Sequence, residues 1–287
     1  MKYKYEDMFG RNIGNITEEE RAILRKTKIA ILGQGGVGGG QTQCLARLGC
    51  EELTIADNGI YDEPDLNRQY SSDSTKIGKN KAQCVKEAIL NINPDINLTV
   101  YDKGVTEENY KSIVDNNDVI LNELDFNVLA LARLVYEYAY EVGKPVITTP
   151  LAGIGAVSLV FQNGKSVSFD EYCGITKEEQ NEKKMKFLIG KALYPNFCSY
   201  EAYNDKLILM LQGKSHIPSS AMAGHVAHSL GTMALINVVC RPERVRYAPC
   251  FEQVDLYDKK YYLGKYNWYT KLKQILKIMK YRKLLGK

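Results

Sequence analysis

The chain has 287 residues, 45% of them apolar, and a net charge of only +4. This length and composition can bury one large α/β core, or a core with a small accessory lobe, which excludes a disordered or fibrous protein. Much of the positive charge is local, because the chain from Lys265 onward has eight Lys or Arg and no Asp or Glu. The rest of the chain is therefore slightly acidic, and a basic tail follows it.

The seven cysteines form no C-x-x-C pair. This spacing argues against a structural zinc site and against a secreted disulfide framework. The N-terminal sequence MKYKYEDMFGRN is polar, so we expect no signal peptide. Of the two longest apolar segments, 151–161 is too short to span a bilayer and 221–239 carries two His and an Asn, so we expect no transmembrane segment. The sequence is typical of a cytosolic protein with reduced thiols.

A glycine-rich turn follows the first predicted strand. Residues 27–37 read TKIAILGQGGV, and Gly33, Gly35, Gly36 and Gly38 separate the apolar run from a helical pattern. The spacing of three of these glycines fits G-x-G-x-x-G, in which backbone N–H groups and a helix N-terminus face one small volume. The turn predicts a phosphate site in a Rossmann-like unit.

The same alternation continues down the chain. After the glycine turn, the segments ELTIAD, INLTVYD, DVILN and PVITT predict strands, and helices are predicted between them. Strands and helices that alternate at this spacing predict a doubly wound, mainly parallel sheet.

The pattern changes beyond Pro150. Segments 156–161 and 166–169 flank Gln-Asn-Gly-Lys and predict a hairpin that extends the sheet in the antiparallel sense. A charged, exposed helix is predicted over 176–191 and a buried helix over 219–239. We therefore predict one Rossmann-like α/β domain over residues 1–264, with an elaborated C-terminal half, and a basic amphipathic helix over residues 265–287.

Polar residues after the second strand indicate which nucleotide binds. Asp57 ends that strand, where a ribose-binding carboxylate belongs. Asn67, Arg68 and Gln69 are consecutive, and Lys81 lies just inside the next helix. A guanidinium binds phosphate oxygens in a fork and an ammonium supplies a point charge, so the pair favours ATP over NAD. The alternative is a solvated charged loop.

Asp125 follows the fourth strand, in LNELDFN, at the carboxyl edge of the sheet where ligands of open α/β sheets bind. A carboxylate opposite a cluster of cations is suited to hold Mg²⁺ on phosphates. It could also cap a helix that begins at the next residue, and the two roles are compatible.

These motifs together resemble the nucleotide site of the ThiF/MoeB/ubiquitin-activating adenylyltransferase family. The resemblance rests on GQGGVGG, Asp57, DEPDLNRQY, GKNKA, INP and ELDFN, over about residues 5–161. The N-terminal FGRNIGNITEEERAIL resembles the family's entry helix, whose arginine reaches the partner subunit's active site. Arg11 is the matching position.

The resemblance implies that ATP and a carboxylate give an acyl adenylate and pyrophosphate, the carboxylate commonly being the C-terminus of a small ubiquitin-like protein or peptide. It further implies a homodimer. Asp57 would hold the ribose, and Arg68, Gln69 and Lys81 would contact phosphates. Asn67 would help orient them, and Asp125 would hold Mg²⁺.

Three other functions stay open. One is a ThiF-like dehydratase that activates the carboxylate of a modified tRNA nucleoside, which the basic tail allows. The others are an NAD-dependent oxidoreductase, which the paired cations disfavour, and a non-catalytic subunit of a heterodimer, which Arg68, Lys81 and Asp125 disfavour.

The region after the hairpin holds two thiols that could carry an acyl group, Cys173 and Cys198. An apolar filler role is the more common one for cysteine, and we favour direct transfer without a thioester. His216, His225 and His228 could bind a metal, but we favour hydrogen-bonded histidines on a buried helix.

The basic tail places Trp268, Leu272, Ile275, Leu276 and Met279 at helical spacing with lysines between them. Such a helix can bind an anionic membrane surface or nucleic acid, or pack on its own domain or a partner. From the sequence we favour packing or partner docking.

Overall fold

The computed structural model describes residues 4–125, 128–176, 179, 181–196, 198, 200–211 and 218–284. Within these residues, eight strands form one sheet in the order β3-β2-β1-β4-β5-β6-β7-β8. The strands are β1 (Lys28–Leu32), β2 (Glu52–Ala56), β3 (Asn97–Tyr101), β4 (Val119–Asn122), β5 (Val146–Thr148), β6 (Gly155–Phe161), β7 (Cys250–Asp255) and β8 (Lys260–Lys265). The strands from β1 to β5 are parallel, and β6, β7 and β8 add to them in the antiparallel sense.

Eleven α-helices are found in the described residues. They are α1 (Tyr5–Phe9), α2 (Glu18–Lys26), α3 (Gly38–Leu48), α4 (Lys81–Leu90), α5 (Tyr110–Asp115), α6 (Leu129–Glu141), α7 (Phe169–Cys173), α8 (Glu182–Leu193), α9 (Glu201–Leu211), α10 (Ala221–Cys240) and α11 (Trp268–Leu284). Several begin at the polar caps that the sequence offers, such as Asn80 before α4 and Ser220 before α10, whose side chains accept backbone N–H groups. The predicted mainly parallel α/β sheet is confirmed.

The sheet separates two apolar cores. In β1, Ile29 and Ile31 face one core while Ala30 and Leu32 face the other, and all four are buried. Burial on both faces explains why the central strands read as continuous apolar runs, as is usual for parallel strands covered by helices on both sides.

The predicted hairpin is wrong in its second strand. β6 forms as expected, but Ser168 accepts a hydrogen bond from the backbone N–H of Glu171 and caps α7 where the sequence pattern suggested a strand. The antiparallel neighbour of β6 is β7, nearly 90 residues farther along the chain. The helix predicted over 176–191 begins at Glu182, and its last turn is buried.

α10 is long and apolar enough to meet the length and composition of a membrane span. Within the domain it packs against β6 and α3, and 44% of its most apolar window is buried. Its small residues permit this close approach. A core helix passes the same length and composition test as a membrane span.

Candidate active site

The glycine turn joins β1 to α3 in a conformation that side chains would not permit. Gly33 has φ +89°, and its N–H donates to the carbonyl of Ala56 at 2.8 Å. A Cβ on Gly38 would overlap the carbonyl oxygen of Gly33. The turn is therefore tight enough to bring the first N–H groups of α3 toward the carboxyl edge of the sheet, where they can bind an anion.

Asp57 fixes this turn to the end of β2. One carboxylate oxygen accepts the backbone N–H of Gln34 at 2.6 Å, and the other accepts the N–H of Gly59 at 2.7 Å. Each oxygen retains acceptor capacity, because a carboxylate offers about four lone-pair sites. Asp57 can thus accept ribose hydroxyls while it holds the glycine turn.

A buried carboxylate that the sequence analysis missed, Asp65, organises the predicted phosphate ligands. Its Oδ2 lies 2.8 Å from Lys81 Nζ and its Oδ1 3.3 Å from Arg68 Nη2. Gln69 also donates to Oδ1. Burial is the largest single influence and favours the neutral acid, but the hydrogen bond and charge of Lys81 together with hydrogen bonds from Asp62 outweigh it and hold the pKa of Asp65 below its usual value. The sequence did offer one signal of this ion pair, because Asp65 stands three residues before Arg68.

The cations lie against the glycine turn. A Cβ on Gly36 would lie 3.4 Å from Arg68 Cγ, and one on Gly35 would lie 3.9 Å from Gln69 Nε2. Side chains at these two glycines would occupy the space beside the guanidinium and the amide. The Oε1 of Gln69 is buried and has no partner among the described atoms.

Asn67 connects this cluster to the C-terminal half. Its Oδ1 accepts from Arg68 Nη1 at 2.9 Å, and its Nδ2 donates to the carbonyl of Ser219 at 3.1 Å, just before α10. Asn67 therefore orients the guanidinium, and it links the loop after β2 to the start of α10.

Asp125 is exposed in the segment that follows β4. β4 pairs with β1, and the carbonyl of Glu123 lies against Gly33, so this segment reaches the same edge as the glycine turn. Helix α6 is preceded by Val128, and no side chain caps it. The side chain of Asp125 therefore does not cap α6. The carboxylate of Asp125 stays accessible for a cation. Phe126 and Asn127 lie outside the described residues.

Glu123 is a second carboxylate that the sequence analysis did not select. It accepts from Gln41 Nε2 at 3.0 Å and from the N–H of Thr149 at 3.1 Å. Burial raises the pKa of Glu123 to about 7, against the effect of these hydrogen bonds.

His228, on α10, contacts the glycine turn and forms a hydrogen bond to it. Its Nε2 lies 2.7 Å from the carbonyl oxygen of Gly36, and a Cβ on Gly40 would overlap its ring. Burial lowers the pKa of His228, so the ring is neutral near pH 7 and Nε2–H donates to Gly36. The ring of Tyr70 packs edge-on against His228, and its hydroxyl bonds to His225.

These histidine contacts agree with the hydrogen-bonded role favoured from the sequence. Within the described residues, no group of three His, Cys, Asp or Glu side chains could hold a metal ion. His216 lies outside those residues. A single carboxylate is compatible with Mg²⁺, which is usually bound by one or two carboxylates together with substrate phosphates and water.

Arg11 lies away from the glycine turn of its own chain. It is exposed on a short 3-10 helix, Gly10–Asn12. Asn12 donates to the carbonyl of Arg47, and Tyr5 donates to that of Gly49, so this segment packs at the far end of α3. An α-helix of 11 residues is about 16 Å long. Within one chain, Arg11 is therefore not brought to the other predicted site residues.

The two candidate thiols are inert in their present surroundings. Cys173 is 3% exposed, and burial raises its pKa well above the usual value. Burial also raises the pKa of Cys198 to about 11. A nucleophilic cysteine needs thiolate character at neutral pH, which burial in apolar surroundings opposes.

Comparison with known proteins decides the family. A family model described as "ThiF family" matches residues 9–262. The chain belongs to the ThiF family. It is 32% identical over 126 residues to the adenylyltransferase and sulfurtransferase UBA4 of Kluyveromyces lactis, covering 44% of this chain and 28% of that protein.

Two other curated relatives have different names. The tRNA threonylcarbamoyladenosine dehydratase of Haemophilus influenzae is 34% identical over 133 residues, which cover 46% of this chain and 50% of that protein. SUMO-activating enzyme subunit 2 of Dictyostelium discoideum is 30% identical over 149 residues, which cover 51% of this chain and 22% of that protein. The chain thus matches half or less of the length of these relatives.

Solved structures share the fold over nearly the whole chain. E. coli MccB, solved with SeMet MccA, has a TM-score of 0.66 and 19% identity, covering 93% of this chain and 73% of that chain. PaaA has a TM-score of 0.65 and 16% identity, covering 91% and 73%. At these identities the likeness concerns the fold.

Proposed function

We propose that this ThiF-family protein is a cytosolic, homodimeric, Mg-ATP-dependent adenylyltransferase. The observation that carries the proposal is the convergence of the glycine turn, Asp57 and the Arg68–Gln69–Lys81 cluster at one edge of the sheet. A triphosphate needs both a backbone anion site and fixed cations, whereas a dinucleotide needs the first alone.

The reaction joins a carboxylate oxygen of the acyl substrate to the α-phosphorus of ATP. The bond between that phosphorus and the bridging oxygen breaks, and pyrophosphate leaves with the electron pair. Such a displacement needs positioning and charge stabilisation and no protein nucleophile. Lys81 and Arg68 stabilise negative charge on the phosphates, and Asp57 holds the ribose. Asp125 would hold Mg²⁺, which neutralises phosphate charge when bound.

In the free enzyme, Asp65 keeps the cations in place. Lys81 and Arg68 would otherwise repel each other across a half-buried site. Their orientation before substrate arrives reduces the reorganisation that catalysis requires, which is how preorganised charges act.

For the acyl substrate we propose the C-terminus of a small ubiquitin-like protein or a peptide. The names of UBA4 and of the SUMO-activating enzyme among the sequence relatives support this choice. A carboxylate on a modified tRNA nucleoside is the second candidate, since the dehydratase relative is matched over half its length. Both substrates would undergo the same first step.

The experiment is isothermal calorimetry of ATP with Mg²⁺ against NAD, followed by ATP–pyrophosphate exchange. Exchange is measured with small proteins or peptides encoded beside this gene and with total tRNA as separate acyl substrates. We expect ATP to bind much more tightly than NAD, and exchange to depend on a protein or peptide C-terminus. If the protein binds NAD and does not bind ATP, the adenylation proposal is contradicted. If exchange occurs with tRNA and with none of the proteins or peptides, the tRNA nucleoside is the substrate.

A further inference from the structure

Helix α11 exposes the apolar side chains that the sequence predicted to lie on one face. We call Trp268, Leu272, Ile275, Leu276 and Met279 the exposed stripe. Their exposed fractions range from 44% to 75%. At 100° per residue they span about a third of the helix circumference. Five large apolar side chains side by side exceed the scattered singles that a surface normally carries.

The opposite side of α11 is attached to the domain. Gln274 is 2% exposed, and its Nε2 donates to the carbonyls of Lys191 at 2.8 Å and Tyr194 at 2.5 Å. Its Oε1 accepts from the hydroxyl of Tyr266 at 2.9 Å, and Ile278 packs on the core. The helix is therefore fixed by one face while the exposed stripe points away from the domain. The sequence analysis favoured packing or partner docking for this helix. The helix does pack on the domain, but through the face of Gln274 and Ile278 and not through the exposed stripe.

Positive charge flanks the exposed stripe. Lys273 is exposed and lies about 60° beyond Leu276 around the helix, and Lys271, whose ammonium lies over the ring of Tyr266, lies about 40° beyond Ile275 at the other edge. From Lys265 onward the sequence contains no acidic residue. Two copies of this helix packed stripe to stripe would bring the flanking lysines of both copies close together, and like charges repel. The charge selects an anionic occupant.

The aromatic residues at the start of α11 narrow the choice further. Trp268 is 75% exposed, and the neighbouring Tyr269 is 50% exposed. Trp and Tyr prefer the headgroup level of a bilayer, and lysines beside an apolar face extend toward anionic headgroups. Nucleic acid would leave the exposed stripe in water, because phosphate contacts need the lysines alone.

We propose that α11 docks this protein on an anionic lipid surface. The exposed stripe enters the boundary between headgroups and acyl chains, and Lys271 and Lys273 at its two edges lie over acidic headgroups. Fixed by Gln274, the helix would lie along the bilayer surface, as amphipathic helices with a basic flank do. This inference is independent of the substrate of the nucleotide site.

The chain carries its own reporter, because Trp268 is the one tryptophan in the sequence. The full chain is mixed with vesicles of phosphatidylcholine alone or with 30 mol% phosphatidylserine, on the order used to probe anionic leaflets. We expect a blue shift of Trp268 emission and co-sedimentation with the anionic vesicles, and neither with the neutral ones. Added salt should reverse binding in part.

Two double variants separate the apolar and charged contributions. Leu272→Ser with Leu276→Ser keeps Trp268 as the reporter. This variant should bind at least about tenfold more weakly, because it loses the free energy gained when two leucine side chains move from water into the bilayer. Lys271→Gln with Lys273→Gln should weaken binding to anionic vesicles by roughly tenfold or more. Lys103→Gln with Lys111→Gln removes the same charge from an exposed region elsewhere and should bind as the unchanged protein does.

All variants should retain the circular dichroism spectrum and any pyrophosphate exchange of the unchanged protein. Binding to neutral and anionic vesicles alike would overturn the charge argument. Absence of vesicle binding would overturn the proposal. It would also be overturned if the exposed stripe were needed for self-association or RNA binding and not for vesicle binding. Failure of the nucleotide experiment alone would leave vesicle binding unaffected.

Discussion

The parallel and antiparallel halves of the sheet hold their reactive side chains in opposite ways. At the end of β2, Asp57 accepts backbone N–H groups, and Asp65 is paired with cations that help to hold its pKa below the usual value. In the antiparallel half, Cys173 and Cys198 lie in an apolar core whose burial suppresses the thiolate. Polar partners hold charge at the proposed nucleotide site, whereas burial keeps the two thiols of the second half protonated.

The largest effect should come from removing charges at the nucleotide site. Lys81→Ala and Asp125→Ala should each lower pyrophosphate exchange by about 10²-fold or more, as loss of a preorganised electrostatic group does. Lys79→Ala and Asp95→Ala are controls at exposed positions and should be nearly unchanged. If both site variants exchange at the control rate, the first half does not carry the chemistry.

Sharing of a site between subunits should be visible on mixing. Arg11→Ala and Arg68→Ala proteins should each be inactive. After random subunit exchange, a mixture should recover about a quarter of the activity, because half of the dimers contain one intact site. Subunit exchange is checked by tagged copies. An inactive mixture with demonstrated exchange would place Arg11 outside the partner's site.

His228 tests whether α10, which packs beneath the glycine turn, positions it for nucleotide. His228→Ala removes the hydrogen bond to Gly36 and should raise the KM for ATP about tenfold with a smaller change in kcat, since the bond is worth roughly 1 kcal/mol and the turn relaxes without it. His228→Gln retains a donor and should recover part of the loss. Met222→Ala, exposed on the same helix, is the control. A uniform loss of kcat would indicate a different role.

Glu123 offers a test of pH dependence. Its pKa is about 7 in the fold against the usual 4.5, so the folded state holds the proton more tightly than the unfolded state. Stability should therefore fall as pH rises from about 4.5 to 7, by up to about 3 kcal/mol. Glu123→Gln should flatten this part of the curve, measured by urea unfolding at pH 5 and pH 8. Equal slopes in both proteins would show that Glu123 titrates normally.

The smallest effect should come from the thiols. Cys173→Ser and Cys198→Ser should leave pyrophosphate exchange and product formation largely intact, although buried serines will lower stability somewhat. If one thiol carries the acyl group, its variant should keep exchange and lose the overall reaction. A thiol-labile, ATP-dependent conjugate that one substitution abolishes would reverse the contrast between the two halves.

The sequence alone was sufficient for the glycine turn, the strands that flank it and the mainly parallel sheet, because these depend on local glycine geometry and on the alternation of short apolar runs with helices. It also predicted that Arg68, Gln69 and Lys81 lie together, from their position after the glycine turn and Asp57 and from the family resemblance. Their tie to Asp65 was missed, although Asp65 stands three residues before Arg68.

Only the tertiary structure decided the contacts between distant segments. β6 pairs with β7 across nearly 90 residues, and His228 reaches Gly36 across 192 residues. No local pattern specifies such pairings, because they depend on how whole elements pack. The same holds for α11, where the sequence predicted an apolar face but packing determined that Gln274 is buried and Trp268 is exposed.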